Sequence, residues 1–316
     1  VRVLLGGSPV GGAPGFADAE HLAVTFTPDE PLVAGADYAL VLTPAIRDVD
    51  GDALTDELRV EFTAVAADEP GATGAIFEEI SAGFLYTCGV TRTNGGYCWG
   101  NNWNGQLGTG WPNSTPWLPV AIAGGHGFVQ VDASKEYTCG ADTAGFAWCW
   151  GSNAGLPTDP NAAHTPIPVD GDLNFVKISA GGGHACGITR ENAAYCWGHN
   201  DYGQLGDGTT TYAPTPTPVA GGLSFTALSA GGSHTCGITT DGFAYCWGWN
   251  GVGQLGDGTT DDRLTPTRVA GDQDFTQLSA GVSTCGITAD GVAYCWGPNA
   301  HGQLGDGTTE DRLTPT

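Results

Sequence analysis

Five times along the chain a cysteine is followed ten positions later by a second cysteine, and tryptophan always comes next. The pairs are Cys88/Cys98, Cys139/Cys149, Cys186/Cys196, Cys236/Cys246 and Cys285/Cys295. A phenylalanine precedes each pair at Phe77, Phe128, Phe175, Phe225 and Phe275, in steps of 51, 47, 50 and 50 residues. A period of this size marks one supersecondary unit that must stack on its neighbours to bury a core. One unit reads Phe225-Thr-Ala-Leu-Ser-Ala-Gly, His234-Thr-Cys-Gly-Ile-Thr, Asp241-Gly-Phe-Ala-Tyr-Cys-Trp-Gly, then Gly253-Gln-Leu-Gly-Asp-Gly-Thr-Thr. Its β-rich stretches fall at 225–229, 235–239 and 243–247, with a fourth containing 266–269, where Pro266 implies a sheet edge. Four short strands with Gly-rich turns fill such a unit, which predicts an all-β fold of propeller blades. The small Ser-Ala-Gly run at 229–231 suits a crowded central axis.

The order Ser-Ala-Gly, Cys-Gly-Ile-Thr, Tyr-Cys-Trp-Gly and Gly-Gln-Leu-Gly-Asp-Gly-Thr resembles the regulator of chromosome condensation 1 (RCC1) repeat family. It is most similar to the bacterial, cysteine-bearing branch. The resemblance spans residues 76–316 and implies an RCC1-like β-propeller, usually of seven blades. The chain supplies about five, so the remaining blades are expected outside these residues. The second unit departs from the pattern with Gly155-Leu156-Pro157 in place of Gly-Gln-Leu-Gly.

The cysteine spacing has three readings. Structural zinc wants short knuckles of two to four intervening residues, and none occurs. Buried free thiols are the second reading. The third is a disulfide across each hairpin. The midpoints of the pairs are Thr93, Ala144, Glu191, Asp241 and Asp290. A three-residue loop around each midpoint ends at Asn94, Gly145, Asn192, Gly242 and Gly291, all residues that tolerate the left-handed conformation required there. In that register the cysteines face each other on adjacent strands. A disulfide fits best if that site is a non-hydrogen-bonded pair. Such staples place the chain in an oxidising compartment, extracellular or at a cell surface.

Residues 1–67 lack the blade motif. Strands are expected at 24–28, 38–42 and 58–63. The segment Phe26-Thr-Pro, Leu32, Tyr38, Asp48-Val-Asp-Gly51 and Phe62-Thr63 resembles bacterial Ig-like domains of the surface-layer type, which implies a partial β-sandwich preceding the propeller. Residues 68–75 read as a linker and 76–316 as the propeller. Asp48, Asp50, Asp52 and Asp56 are the candidate calcium ligands, because clustered carboxylates are hard oxygen donors. A solvated Asp-Gly turn is the alternative. No other cofactor is indicated.

The formal charge is −24, from 34 acidic and 10 basic residues. No basic stripe exists to follow a phosphate backbone, so nucleic acid is not an expected partner. No apolar run reaches membrane-spanning length, and membrane insertion is not expected. The chain holds no methionine and opens on no signal peptide, so it reads as part of a longer protein. No nucleophile elbow, phosphate loop or H-E-x-x-H occurs. Asp207, Asp257 and Asp306 recur inside Gly-Asp-Gly-Thr, a turn signature. His184 and His234 alternate with Tyr86 and Tyr137 at one repeat position, a swap that a metal ring would not tolerate. They read as core or rim histidines.

Within each loop after Trp-Gly one asparagine is fixed, at Asn102, Asn153, Asn200, Asn250 and Asn299. Its neighbours vary: Trp103, His199, Asp201, Tyr202, Trp249, Val252 and His301, with Trp111 and Trp117 extending the set in the first unit. Exposed aromatics on such loops are candidate contact anchors for a protein or glycan. The bland alternative is drift on a neutral surface. The expected function is therefore a secreted or cell-surface, non-enzymatic binding or scaffold protein. The competing readings are guanine-nucleotide exchange, implied by the family resemblance, and an extracellular lyase or hydrolase with a central-channel site.

Overall fold

The computed structural model describes residues 76–111, 114–152, 164–171 and 173–316 with their side chains, and the backbone of Ala163 and of six strands between positions 2 and 63. Asp48, Asp50, Asp52 and Asp56, the linker at 68–75, Asn153 and the variant turn at 155–157 lie outside the described residues. The chain divides into two compact units, Val1–Ala75 and Ile76–Thr316.

The first unit holds a four-stranded antiparallel sheet in the order Ser8–Val10, Arg2–Leu5, Asp37–Leu42, Leu58–Thr63. A separate hairpin pairs Gly12–Phe16 with Val24–Pro28. The three strands expected from apolar alternation are present, at Val24–Pro28, Asp37–Leu42 and Leu58–Thr63.

The second unit is a propeller of five successive blades. Blade 4 shows the plan: Phe225–Ala230, His234–Thr239, Ala244–Gly248 and Arg263–Arg268 pair antiparallel in that order. The first strands of neighbouring blades touch, so they gather around the axis, while the fourth strands form the outer edges. Pro266 therefore sits on an edge, where its missing N–H costs nothing in the ladder. In blade 5 the segment from Arg312 replaces a full fourth strand, held by the Gly297–Arg312 bridge and by Cys295 and Thr316 bonding each other. Five blades are present, as the repeat count predicts, each packed on the next, and no further blade of the expected seven lies among the described residues.

Each central hairpin follows from its turn. Asn94 donates its N–H to Thr91 O at 2.9 Å, and Thr91 N–H reaches Gly95 O at 2.9 Å, closing a three-residue loop. The last loop residue is left-handed in every blade: Asn94 at φ 62°, Gly145 at 91°, Asn192 at 63°, Gly242 at 87° and Gly291 at 83°. Thr91 and Gly95 form a hydrogen-bonded pair, so by alternation Gly89 and Tyr97 do as well, and Cys88 faces Cys98 at a non-hydrogen-bonded site. The Cα atoms of this cysteine pair are 4.0 Å apart, and all ten cysteines are joined in five disulfides within blades. A glycine beside each disulfide leaves room for the blade's own phenylalanine: a Cβ on Gly187 would lie 2.4 Å from the Phe175 ring.

Between blades, the core is built from the same few residues each time. The inner-strand aliphatic and the phenylalanine and tryptophan of one blade pack on the disulfide of the blade before. The Gly-Gln-Leu-Gly loop reaches the other way. Gly206 of blade 3 lies so close beneath Trp247 of blade 4 that a Cβ would sit 2.6 Å from its Nε1. The Gln204 carbonyl accepts hydrogen bonds from Trp247 Nε1 at 3.0 Å and Thr235 Oγ1 at 2.8 Å. This explains why the motif and the tryptophan recur together: the described loops of blades 1, 3 and 4 are the seats for Trp150, Trp247 and Trp296 of the next blade.

Burial also sets the order in which the disulfides open. Cys88–Cys98, Cys139–Cys149, Cys186–Cys196 and Cys236–Cys246 are buried, whereas Cys285 and Cys295 are half-buried. A reductant needs access to a sulfur. Limited reduction followed by alkylation should therefore label Cys285 and Cys295 first. Simultaneous labelling of all five pairs would contradict this packing.

Candidate functional site

The loops after the third strands carry both a fixed and a free part. Asn102, Asn200, Asn250 and Asn299 are buried. Each accepts, through Oδ1, the N–H of the leucine five residues on, at 2.9–3.0 Å. Through Nδ2 each spans the loop to a Thr or Asp at the following corner, as Asn250 does to Asp257 at 3.2 Å. The glutamine side chain then accepts a backbone N–H from the variable segment: Asn104, Tyr202, Val252 or His301, at 2.9–3.1 Å. The backbone of a variable position is thus fixed by Gln in a bond that makes no use of its side chain. That is the physical reason its identity drifts from blade to blade.

The outer corners are framework too. Arg263 reaches Asp257 at 2.7 Å, and Arg312 reaches Asp306 through Nε at 2.7 Å. Burial raises the Asp257 pKa, but hydrogen bonds from Thr259 and Arg263 outweigh it and hold the carboxyl below its usual value. These aspartates keep turns in shape, as their Gly-Asp-Gly-Thr setting implies.

The nominated rim residues fall into three groups. Trp103 and Trp111 are 68% and 76% exposed and are anchored through their backbones, Trp103 N–H to Asn101 Oδ1 and Trp111 O to Asn102 Nδ2. His199, Asp201, Tyr202, Trp249, Val252 and His301 line the neighbouring loops, with Tyr202 against Trp249 at 6.3 Å, His199 against Tyr212 at 5.8 Å and His199 Nδ1 3.8 Å from Asp201. Tyr202 and Trp249 come from blades 3 and 4, so two loops build one aromatic ledge. Trp117 stands apart. It is 91% exposed and occupies the repeat position of Leu264, which seats on Gly203 of the preceding blade, and of Leu313, which seats on Gly253. Its place is on the end face of blade 1.

His184 and His234 are buried pegs between blades. His184 Nε2 lies 2.8 Å from Thr235 Oγ1, and His234 Nε2 lies 2.8 Å from Thr284 Oγ1, each on the next blade. Each threonine hydroxyl gives its one proton to a glutamine carbonyl, Gln204 or Gln254, so it must accept from the imidazole N–H. Both rings are therefore neutral with the proton on Nε2. Burial lowers the His184 pKa to about 3, helped by the nearby His234 and His199, and lowers that of His234 to about 4. Tyr86 performs the same bridging from blade 1, through Tyr137 O at 2.5 Å and Thr138 Oγ1 at 3.0 Å, and Tyr137 reaches His184 O. Shared geometry makes the His-for-Tyr exchange understandable: both side chains carry a donor at the same reach.

Asp132 is a residue that sequence reasoning passed over. It replaces the serine found at Ser81, Ser179, Ser229 and Ser279 of the inner strands. It accepts the Ser81 hydroxyl at 2.7 Å and the Ala180 N–H at 2.8 Å, tying together three blades. Burial pushes its pKa up, and Glu79 nearby is raised by burial and by the Asp132 charge. A raised carboxylate pair near an axis invites a catalytic reading, but both Asp132 oxygens are committed to the framework. Its departure from serine was the available signal.

Residues 175–204 and 225–254 match one model of the regulator of chromosome condensation (RCC1) repeat, and residues 191–238, 241–287 and 290–316 match a second. The chain carries RCC1 repeats. No curated protein sequence matches it. Among solved structures, the RCC1 blades are similar to human WBSCR16, at 20% identity and TM-score 0.68, over 76% of this chain and 66% of that one. They are also similar to Prp20p of Saccharomyces cerevisiae, described with its binding to Gsp1p and histones, at 18% identity and TM-score 0.53, over 77% and 76% of the two chains. Yeast RCC1 (Prp20), in the structure with Kap60 bound, gives 18% identity and TM-score 0.52, over 77% and 74%. At these identities the likeness is one of fold.

Proposed function

We propose that this RCC1 propeller is a secreted or cell-surface binding module that does no chemistry of its own and holds a protein or glycan on its loop rim. The observation that carries the reading is the pair Trp103 and Trp111. Both rings are exposed on a loop whose shape is set by Asn102 and Gln106, so the fold does not need them. Large exposed aromatics that have no framework task are the usual anchors of an interface. The surroundings suit a neutral contact, because no Asp, Glu, Lys or Arg occurs between Arg92 and Asp132. The Tyr202–Trp249 ledge extends the aromatic rim over two more blades. The fold likeness to Prp20p, described with its binding to Gsp1p and histones, supports protein as the ligand class. Five disulfides support an oxidising, extracellular setting, and no helix is long and apolar enough to cross a membrane. In this reading residues 1–67 are an Ig-like spacer that carries the propeller.

The test is a paired screen. The chain and its Trp103→Ala/Trp111→Ala variant are applied to a glycan array and to an array of extracellular proteins. A ligand of the parent chain should lose about tenfold or more in affinity for the variant, since a central aromatic anchor is worth about 2 kcal/mol. Melting temperature should hardly move, because both rings are mostly exposed. Undiminished binding by the double variant would overturn the reading.

A further inference from the structure

The rim carries a second aromatic site, in surroundings unlike those of Trp103 and Trp111. Tyr202 of blade 3 and Trp249 of blade 4 stand 6.3 Å apart with their planes inclined by 54°, so neither ring lies flat on the other. Tyr202 is 43% exposed and Trp249 half-buried. Trp249 rests on its own loop: a Cβ on Gly251 would sit 2.9 Å from its Nε1. Gly251 holds the repeat position of Trp103, Asp201 and Ala300, so glycine makes room for the ring in this blade alone among the four. Blades 2 and 5 flank the ledge on either side, so its exposure belongs to the loops and not to an end of the propeller.

Charge decides what such a ledge attracts. Between Arg190 and Arg263 the chain has seven acidic residues and no Lys or Arg. Arg263 itself is bound to Asp257 at 2.7 Å. Asp201 directly precedes Tyr202 and is exposed, with His199 Nδ1 at 3.8 Å, and Asp261 and Asp262 are exposed in the blade 4 loop. A field of one sign draws the opposite charge to it. Among cations, guanidinium suits inclined rings best, because it is planar, stacks on an aromatic face and still donates hydrogen bonds from its edge. The molecule already builds this arrangement once for itself: the Arg268 guanidinium lies 3.9 Å from the Phe243 ring centroid and donates to Asp272 at 3.2 Å.

We propose that the Tyr202–Trp249 ledge binds an arginine side chain presented by a basic segment of a protein partner, the rings taking the guanidinium face and Asp201 its edge. The inference rests on the reading of the rim as a binding surface, and at this ledge it narrows the ligand to protein.

The experiment titrates the full chain calorimetrically with octa-arginine and with octa-lysine, at neutral pH and one fixed ionic strength. Octa-arginine should bind, and octa-lysine about fivefold more weakly, because a compact ammonium cannot stack. Tyr202→Ala/Trp249→Ala should weaken octa-arginine about tenfold and remove its advantage over octa-lysine. Asp201→Asn changes an exposed side chain without changing its shape and should weaken octa-arginine about threefold. Asp241→Asn removes the same charge at the other end of the strand Ala244–Gly248 and should leave the affinity as it was. Melting curves matching the parent's show that the variants fold. Trp103→Ala/Trp111→Ala should keep the parent's affinity for octa-arginine, so this test and the array screen are read separately. No binding of octa-arginine overturns the proposal. So do ledge variants that bind it like the parent, octa-lysine binding equally well, or a loss in Trp103→Ala/Trp111→Ala that puts the arginine site on blade 1.

Discussion

Replacing Cys186 and Cys196 together by alanine lowers the unfolding free energy of the propeller by about 3–5 kcal/mol. Each bridge closes a loop of about eleven residues, and removing that constraint frees about 2–3 kcal/mol of chain entropy in the unfolded state. Both sulfurs are also fully buried against Phe225 and Trp247 of the next blade, so their loss leaves a cavity that adds to the cost. The same change at Cys285 and Cys295 loses mainly the entropic part, because that pair is only half-buried in the five blades described. Urea unfolding followed by tryptophan fluorescence measures both. Equal losses at the two sites, or a loss below about 1 kcal/mol at the first, would contradict the packing described above.

Acid destabilises the propeller through His184 and His234. Their folded pKa values are about 3 and about 4, below the value of about 6.5 that a solvated imidazole has in the unfolded chain. A lowered histidine pKa means the unfolded state takes up protons first as pH falls. The stabilising contribution is complete above about pH 6.5 and declines below it, levelling only near the folded values. Each histidine contributes a slope of about 1.4 kcal/mol per pH unit over that window, so the pair gives about 3. His184 Nδ1 has no hydrogen-bond partner among the described residues, so protonation there would bury a donor without an acceptor. The His184→Tyr/His234→Tyr double variant borrows the side chain that blades 1 and 2 already use. It should flatten the difference in stability between pH 6.5 and pH 4.5 by about 4 kcal/mol, the slope summed over that window. A variant whose stability falls with pH as steeply as the parent's would show that these rings do not carry the effect.

The blade was legible in the sequence because its signals are local. The ten-residue cysteine spacing, together with Asn or Gly at 94, 145, 192, 242 and 291, defines a hairpin and its register within one short segment. The fixed asparagine was legible for the same reason, since Asn102 closes a loop only five residues long. What lay between blades was not legible. Trp247 bonds to Gln204, 43 residues away, and His184 bonds to Thr235, 51 residues away. Those pairings depend on how one blade stacks on the next, which no local pattern encodes. His184 was read as a core or rim histidine, and its bridging role appeared only with the neighbouring blade in place. Trp117 shows the same limit from the other side. Sequence variation grouped it with Trp103, whereas alignment of the folded blades puts it with Leu264 and Leu313, which pack across a joint. The rim itself was partly legible. Variation marked the positions, and the structure supplied the reason: Gln side chains hold the backbone there in bonds that make no use of the side chains.

The direct test of the blade-by-blade account is linkage mapping by mass spectrometry on an unreduced digest. The account predicts five linked peptide pairs, each joining cysteines ten positions apart, and no free thiol. Free thiols, or a bridge joining cysteines of two different blades, would contradict it.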